Sequence, residues 1–315
     1  MNIDVFLSTL LCVTILLAIA AGGFVLKKRK MVGEACIPGF SKVLLYVCQP
    51  CLIVFTFVNV ECNAQTASKY LIFLAFIIAV NAVMLGGAAL LLWKKSKDVI
   101  YRIITLATTF TNCAFFCIPL LKALFPTVAD ELLVYTSIYG AFMNVVGWTL
   151  GIFIITRQRK YISLKQTFFN PAMIGIAIAI TIFASGIKIH PDISSAISNV
   201  GNMATPLSML IMGMRLATMN IGDMFRDVRI YLTVIVKHVL MPLVAFAIVF
   251  FFKDLDVYMR RTLFIICACP IASVVLNYSE IAGEGQKTAA NLVLFSTIMS
   301  IVTMPLMMLL YPLIT

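Results

Sequence analysis

The sequence is poor in charge, in acid and in histidine. Only 12% of its 315 residues are Asp, Glu, Lys or Arg, too few to clothe a soluble domain of this length. Acidic residues number 13 and are nearly absent from the interiors of the apolar runs, which excludes an intramembrane aspartyl dyad. The only histidines, His190 and His238, have no partner at ligand spacing, so neither a metal site nor a cofactor is expected. There is no HExxH, no GxSxG and no P-loop, so the chain carries no enzyme signature. It also lacks a low-complexity linker and a soluble signalling domain.

What it has is apolar residue. Hydrophobic side chains make up 62% of the chain and the mean hydropathy is +1.05. They fall into runs of about 20 residues or more, the length that crosses a bilayer as helix. Ten such spans run at 3–26, 37–60, 70–93, 100–124, 131–155, 171–187, 194–217, 230–252, 260–282 and 288–312. They are numbered 1 to 10 below. The first is too long for a signal peptide, and its basic cluster follows it instead of preceding it.

The net charge of +11 sits in short clusters between apolar runs, such as Lys27-Lys28-Arg29-Lys30 and Lys94-Lys95-Ser96-Lys97. Such clusters orient spans and meet anionic lipid headgroups. No basic face interleaved with aromatics appears, so nucleic acid is not an expected partner. With odd spans running inward, Arg157, Arg159, Lys160, Lys165, Arg226, Arg229 and Lys287 join those clusters on the cytoplasmic side. The other side holds only Lys69, Lys122, Lys188, Lys253, Arg260 and Arg261. Both termini should therefore lie outside the cell membrane. Residues 1–155 and 156–315 then form two five-helix halves of opposite orientation, the inverted-repeat plan of many secondary transporters. Pro50 and Pro206, and Pro119 and Pro270, fall at similar places in the two halves, although their offsets differ by more than a helical turn.

Nine cysteines are present, most of them inside apolar runs, where a thiol packs as a small hydrophobe. Cys48-Gln49-Pro50-Cys51 has redox-motif spacing without the βαβ pattern that would support it.

Polar groups inside spans mark where function can reside. Span 4 contains Thr108-Thr109-Phe110-Thr111-Asn112-Cys113-Ala114-Phe115-Phe116-Cys117-Ile118-Pro119. Pro119 removes a backbone donor, and freed groups at that depth must face protein or a water-filled cavity. The bland alternative is a kinked helix whose threonines bond back to their own backbone. Span 9 repeats the features in Cys267-Ala268-Cys269-Pro270-Ile271-Ala272-Ser273, followed by Asn277 and Glu280. Two interrupted helices in corresponding places of two halves point to a transport site. Exposed N–H groups at half-helix N-termini attract a carboxylate. Thr111, Asn112, Pro270, Ser273 and Asn277 are the candidate substrate-binding residues, and Pro119 and Pro270 the candidate hinges. Lys237-His238 precede Pro242 in span 8; Lys237 is expected to snorkel toward headgroups. Arg215 and Glu280 are expected at the surface near span ends. Asn144 reads as helix–helix glue, and Gly147 with Gly151 as a close-packing motif.

These motifs together resemble the auxin efflux carrier family in its compact bacterial form, over essentially the whole chain. The specific pieces are the Thr111–Leu120 stretch, Asn170-Pro171, the run from Val200 to Gly213, Ala268–Ser273, and Ala289-Ala290-Asn291 through Ser296-Thr297 to Met304-Pro305. The resemblance implies an all-α membrane protein of ten helices in two inverted repeats, with spans 4 and 9 broken where they cross. It implies a scaffold part of spans 1, 2, 6 and 7 and a transport part of spans 3–5 and 8–10. On that likeness Asn112 matches the crossover Asn and Pro270 the crossover proline. Cys117 departs from the Gly that relatives place before the Ile-Pro of span 4. The crossover lacks a mid-depth carboxylate, unlike the sodium site of the related bile acid transporters. The expected function is alternating-access transport of a small organic anion such as malate or malonate. The alternatives are a sodium-coupled symporter of the bile-acid type and a non-transporting membrane receptor. Substrate identity, direction, coupling ion and oligomeric state, a homodimer included, stay open.

Overall fold

The computed structural model describes residues 2–314 apart from 59, 61, 62 and 220, and all of their side chains except those of 2, 221 and 223. Residue 59, at the end of the expected span 2, thus lies outside the described residues. A helix satisfies every backbone donor and acceptor within its own segment, the requirement that a lipid environment imposes. The apolar runs accordingly fold as helices. Span 1 is Asn2–Lys28, span 2 Cys36–Val58, span 3 Ala64–Leu91, span 5 Ala129–Thr156, span 6 Pro171–Ser185, span 8 Val228–Phe250 and span 10 Gln286–Met308. Among the described residues, seven helices are long and apolar enough to cross a membrane, and they correspond to these runs.

The other three runs are interrupted. Span 4 splits into Val99–Ala107 and Cys117–Leu124. Span 9 splits into Val257–Ala268 and Val274–Ala282. Span 7 is divided at Met203 into Pro191–Asn202 and Ala204–Thr218, a break that carried no expectation. Pro119 sits in the first turn of Cys117–Leu124 and not in the gap itself. A missing N–H is tolerated in a first turn, so this proline starts the second half-helix.

Capping side chains set several starts. Asn63 accepts from the Thr66 amide at 2.8 Å, Asp98 from Ile100 at 2.8 Å, Asn170 from Met173 at 3.0 Å and Asp256 from Met259 at 2.9 Å, each satisfying a donor that the first turn leaves open. Spans 2, 5 and 8 each contain one π-helical turn, at Leu44–Cys48, Gly147–Gly151 and Val236–Leu240. Pro50 and Pro242 follow two of these turns. A widened turn re-satisfies groups that an in-helix proline frees.

Small residues let helix backbones meet. A Cβ at Gly213 would collide with the Ala20 carbonyl, and one at Gly23 with that of Leu210, so span 1 lies directly along the second half of span 7. A Cβ at Gly175 would come within 2.9 Å of the Pro50 Cα, and one at Gly201 within 2.8 Å of the Leu52 Cα, so spans 6 and 7 both seat on span 2. This is the small-residue packing expected of helices that lipid does not drive together. Gly147 and Gly151 make room for Tyr278 and Phe110 of spans 9 and 4. The close-packing reading of that pair holds, with ring side chains as the neighbours.

Candidate functional site

The two long interruptions lie against each other. Thr111 and Ile271 form an isolated antiparallel bridge. The Asn112 amide donates to the Pro270 carbonyl at 2.8 Å, and the Ala272 amide to the Phe110 carbonyl at 3.0 Å. Each extended segment thus supplies the backbone partners that the other lost by leaving its helix.

Pro270 explains much of the local wiring. It has no N–H, so the Ile266 carbonyl loses its usual donor four residues on. The Thr111 hydroxyl takes that place at 2.8 Å and also reaches the Cys269 carbonyl at 3.2 Å. The Ile271 amide turns away to the Ser296 hydroxyl of span 10, at 2.8 Å. That orphans the Cys267 carbonyl, which accepts instead from Lys237 Nζ at 2.9 Å. Lys237 also contacts Met241 Sδ at 3.2 Å and is 0% exposed. The expectation that Lys237 snorkels is therefore wrong. The π-turn at Val236–Leu240 inserts one extra residue, and the freed carbonyl of span 9 offers the ammonium an acceptor inside the protein. His238 is held beside it, with Nε2 2.7 Å from the same Ser296 hydroxyl.

The threonines divide between the two alternatives. Thr105 and Thr108 bond back to Tyr101 and Thr105 within span 4, whereas Thr111 bridges to span 9. Asn112 Oδ1 accepts from the Phe115 amide at 3.3 Å, which caps the turn leading into Cys117–Leu124. Its Nδ2 donates to nothing among the described residues. The side chains of Ser273 and Asn277 likewise have no hydrogen-bond partner among the described residues.

Those polar groups border a cavity of about 880 Å³ lined by Asn112, Ser273 and Asn277 together with Gln49, Trp148 and Pro171. Thr111 also lines it, but its only hydroxyl proton is committed to the span 9 carbonyls. Pro270 does not line it; its contribution is the carbonyl that fixes Asn112. The cavity extends to Ser163, Lys165, Gln166 and Phe169, between spans 5 and 6. Asn144 and Asn170 stand in its wall and bond to each other at 2.8 and 3.3 Å, so Asn144 does join span 5 to span 6. Toward the opposite end, Thr56 meets Ser137 at 2.9 Å and Lys122 donates to Asn202 at 2.9 Å. Arg215 and Glu280, partly exposed as expected, pair at 3.6 Å across spans 7 and 9. Cys48 and Cys51 are free thiols on span 2.

The sequence pattern of the family described as membrane transport protein matches the chain twice, over residues 8–165 and 155–308. The chain belongs to the membrane transport protein family, that of the auxin efflux carriers. No curated protein matches it. As a member of a transporter family with seven helices able to cross a bilayer, the protein is a multi-pass membrane transporter. Among the described residues no group of three or more His, Cys, Asp or Glu side chains is placed to hold a metal ion. Sequence reasoning missed the Lys237–Ser296 side of the crossing. Its only signal was a lysine–histidine pair ahead of a proline inside an apolar run.

Proposed function

We propose that this auxin efflux carrier family member is a secondary carrier that moves a small organic carboxylate across the cell membrane by alternating access. The observation that carries the proposal is the interlocked pair of breaks. Asn112 Nδ2, the Ser273 hydroxyl and the Asn277 amide are left without partners among the described residues, at one wall of a cavity. The half-helices Cys117–Leu124 and Val274–Ala282 both begin there. Helix N-termini and open amide donors stabilise an anion without a fixed side-chain charge. In this reading Asn112 hydrogen-bonds the carboxylate while Ser273 and Asn277 hold it from span 9. Pro270 keeps the span 9 segment from closing into regular helix, and Pro119 starts the second half-helix of span 4.

Ten spans in two inverted halves, 1–155 and 156–315, accommodate the double family match, whose two regions meet near residue 155. Spans 1, 2, 6 and 7 serve as the scaffold, joined by the glycine contacts around Pro50, Leu52 and Ala20. Spans 3–5 and 8–10 carry the crossing and move against it. With both termini outside, Lys165 lies on the cytoplasmic side, and the cavity lining reaches that side. An exposed lysine at the mouth of an anion pathway raises local anion concentration.

The test uses purified protein, a panel of mono- and dicarboxylates including malate and malonate, and two readouts. A ligand that binds the folded state raises Tm, and uptake into proteoliposomes reports flux. Asn112→Ala is expected to weaken the response about tenfold, the order of one hydrogen bond to a charged group. Undiminished affinity and rate in that variant reject this site. Saturable binding with no flux indicates a receptor instead.

A further inference from the structure

Span 9 ends its first half, Val257–Ala268, in the middle of the protein, with the carbonyls of Ile266, Cys267 and Cys269 deprived of their ordinary helical donors. A helix C-terminus carries partial negative charge. In broken-helix transporters such ends and their unwound carbonyls are where coupling cations are held. Here two side chains occupy the position. Thr111 covers the Ile266 and Cys269 carbonyls. Lys237 Nζ covers that of Cys267 at 2.9 Å, with Met241 Sδ at 3.2 Å. Lys237 is fully buried, and it makes no ion pair with a carboxylate among the described residues. The titratable groups around it are His238 on its own helix and the thiols of Cys113, Cys267 and Cys269 from spans 4 and 9. A buried cation of this kind is strongly unfavourable unless something compensates it. The compensation here is the helix terminus and its carbonyl, the same chemistry that binds a free monovalent cation.

We infer that Lys237 is a tethered cation: its ammonium fills the seat at the C-terminal end of Val257–Ala268 that a sodium ion would otherwise take, so the protein operates without sodium. The occupancy of the seat stands on the geometry alone, and only the sodium-free transport cycle rests on the carrier reading above. The charge lies behind the crossing, on the span 8 and span 10 side. It compensates the carbonyl ends while leaving the open amide donors of the cavity wall to the anion.

The experiment measures Tm of the full chain in detergent, in sodium chloride and in choline chloride at equal ionic strength. Wild type is expected to show no saturable sodium response. Lys237→Ala opens the seat and is expected to melt lower in choline, and to gain roughly 3 °C or more from sodium or from n-propylammonium. Lys237→Met fills the seat without charge and should respond to neither. A saturable sodium shift in wild type, or a Lys237→Ala protein indifferent to both cations, overturns the inference. Should Lys237→Ala not fold, the wild-type titration alone decides. Because the readout needs no substrate, a failed uptake assay leaves this result standing on its own.

Discussion

At the scale of single residues, the crossing depends on donors meeting acceptors that a proline has orphaned. Thr111 is the clearest case. Among the described residues its hydroxyl is the only donor to the Cys269 carbonyl, and it supplements the Cys269 amide at that of Ile266. Thr111→Val keeps the shape and removes the donor. It should lower stability by about 1–3 kcal/mol, the cost of a buried polar group left unpaired. The check is Tm in detergent, with Thr111→Ser as the control that retains the hydroxyl; equal Tm for the valine and wild-type proteins would contradict the assignment. This residue was legible as polar and mid-span, but not as structural. Sequence places a hydroxyl near a break without saying which helix supplies the orphaned carbonyl. Asn112, Ser273 and Asn277 were legible because an amide or hydroxyl beside a proline at mid-span is costly in lipid and has to meet protein, water or a ligand. Lys237 was not. A lysine two turns from a span end can snorkel or turn inward, and the single inserted residue of a π-turn decides which; no periodicity announces that insertion.

At the scale of elements, the long continuous helices followed from apolar length, and the breaks in spans 4 and 9 from prolines set among polar residues. The break at Met203 did not follow, since Pro206 lies three residues beyond it, inside Ala204–Thr218. The packing of spans 1 and 7 likewise required coordinates. Glycines are common in membrane helices, and only position separates those that admit a backbone from those that face nothing. Gly213 and Gly86 make that distinction testable. A side chain at Gly213 runs into the Ala20 carbonyl, whereas Gly86 has no heavy atom within 4 Å of a built Cβ. Gly213→Leu should therefore prevent spans 1 and 7 from closing, while Gly86→Leu should be neutral within about 0.5 kcal/mol. The readout is the yield of monodisperse protein on size-exclusion chromatography and its Tm. A well-behaved Gly213→Leu protein would mean that span 1 does not lie where the glycines put it.

At the scale of the whole molecule, two independent asymmetries have to agree. One is the distribution of Lys and Arg, from which the proposed orientation assigns residues 157–165 to the cytoplasmic side. The other is the cavity, which reaches Ser163, Lys165, Gln166 and Phe169 but, among the described residues, none of Val60, Asn63 or the segments 125–128, 186–190 and 251–256. If both hold, this conformation faces the cytoplasm, and Thr56–Ser137 and Lys122–Asn202 are the contacts that must part before it can face outward. Single cysteines placed at Ser163 and at Asn202, in a protein whose nine native cysteines are replaced, separate the two asymmetries. A membrane-impermeant maleimide should label Ser163→Cys only in inside-out vesicles and Asn202→Cys only in right-side-out cells. The reverse pattern would invert the orientation and leave the cavity intact. Labelling of both from one side would contradict the helix order between them. Lys122→Met, which keeps the stem and drops the donor to Asn202, should then raise the outside reactivity of a cysteine at Ser273. That increase is the signature expected if the two ends of the pathway open in alternation.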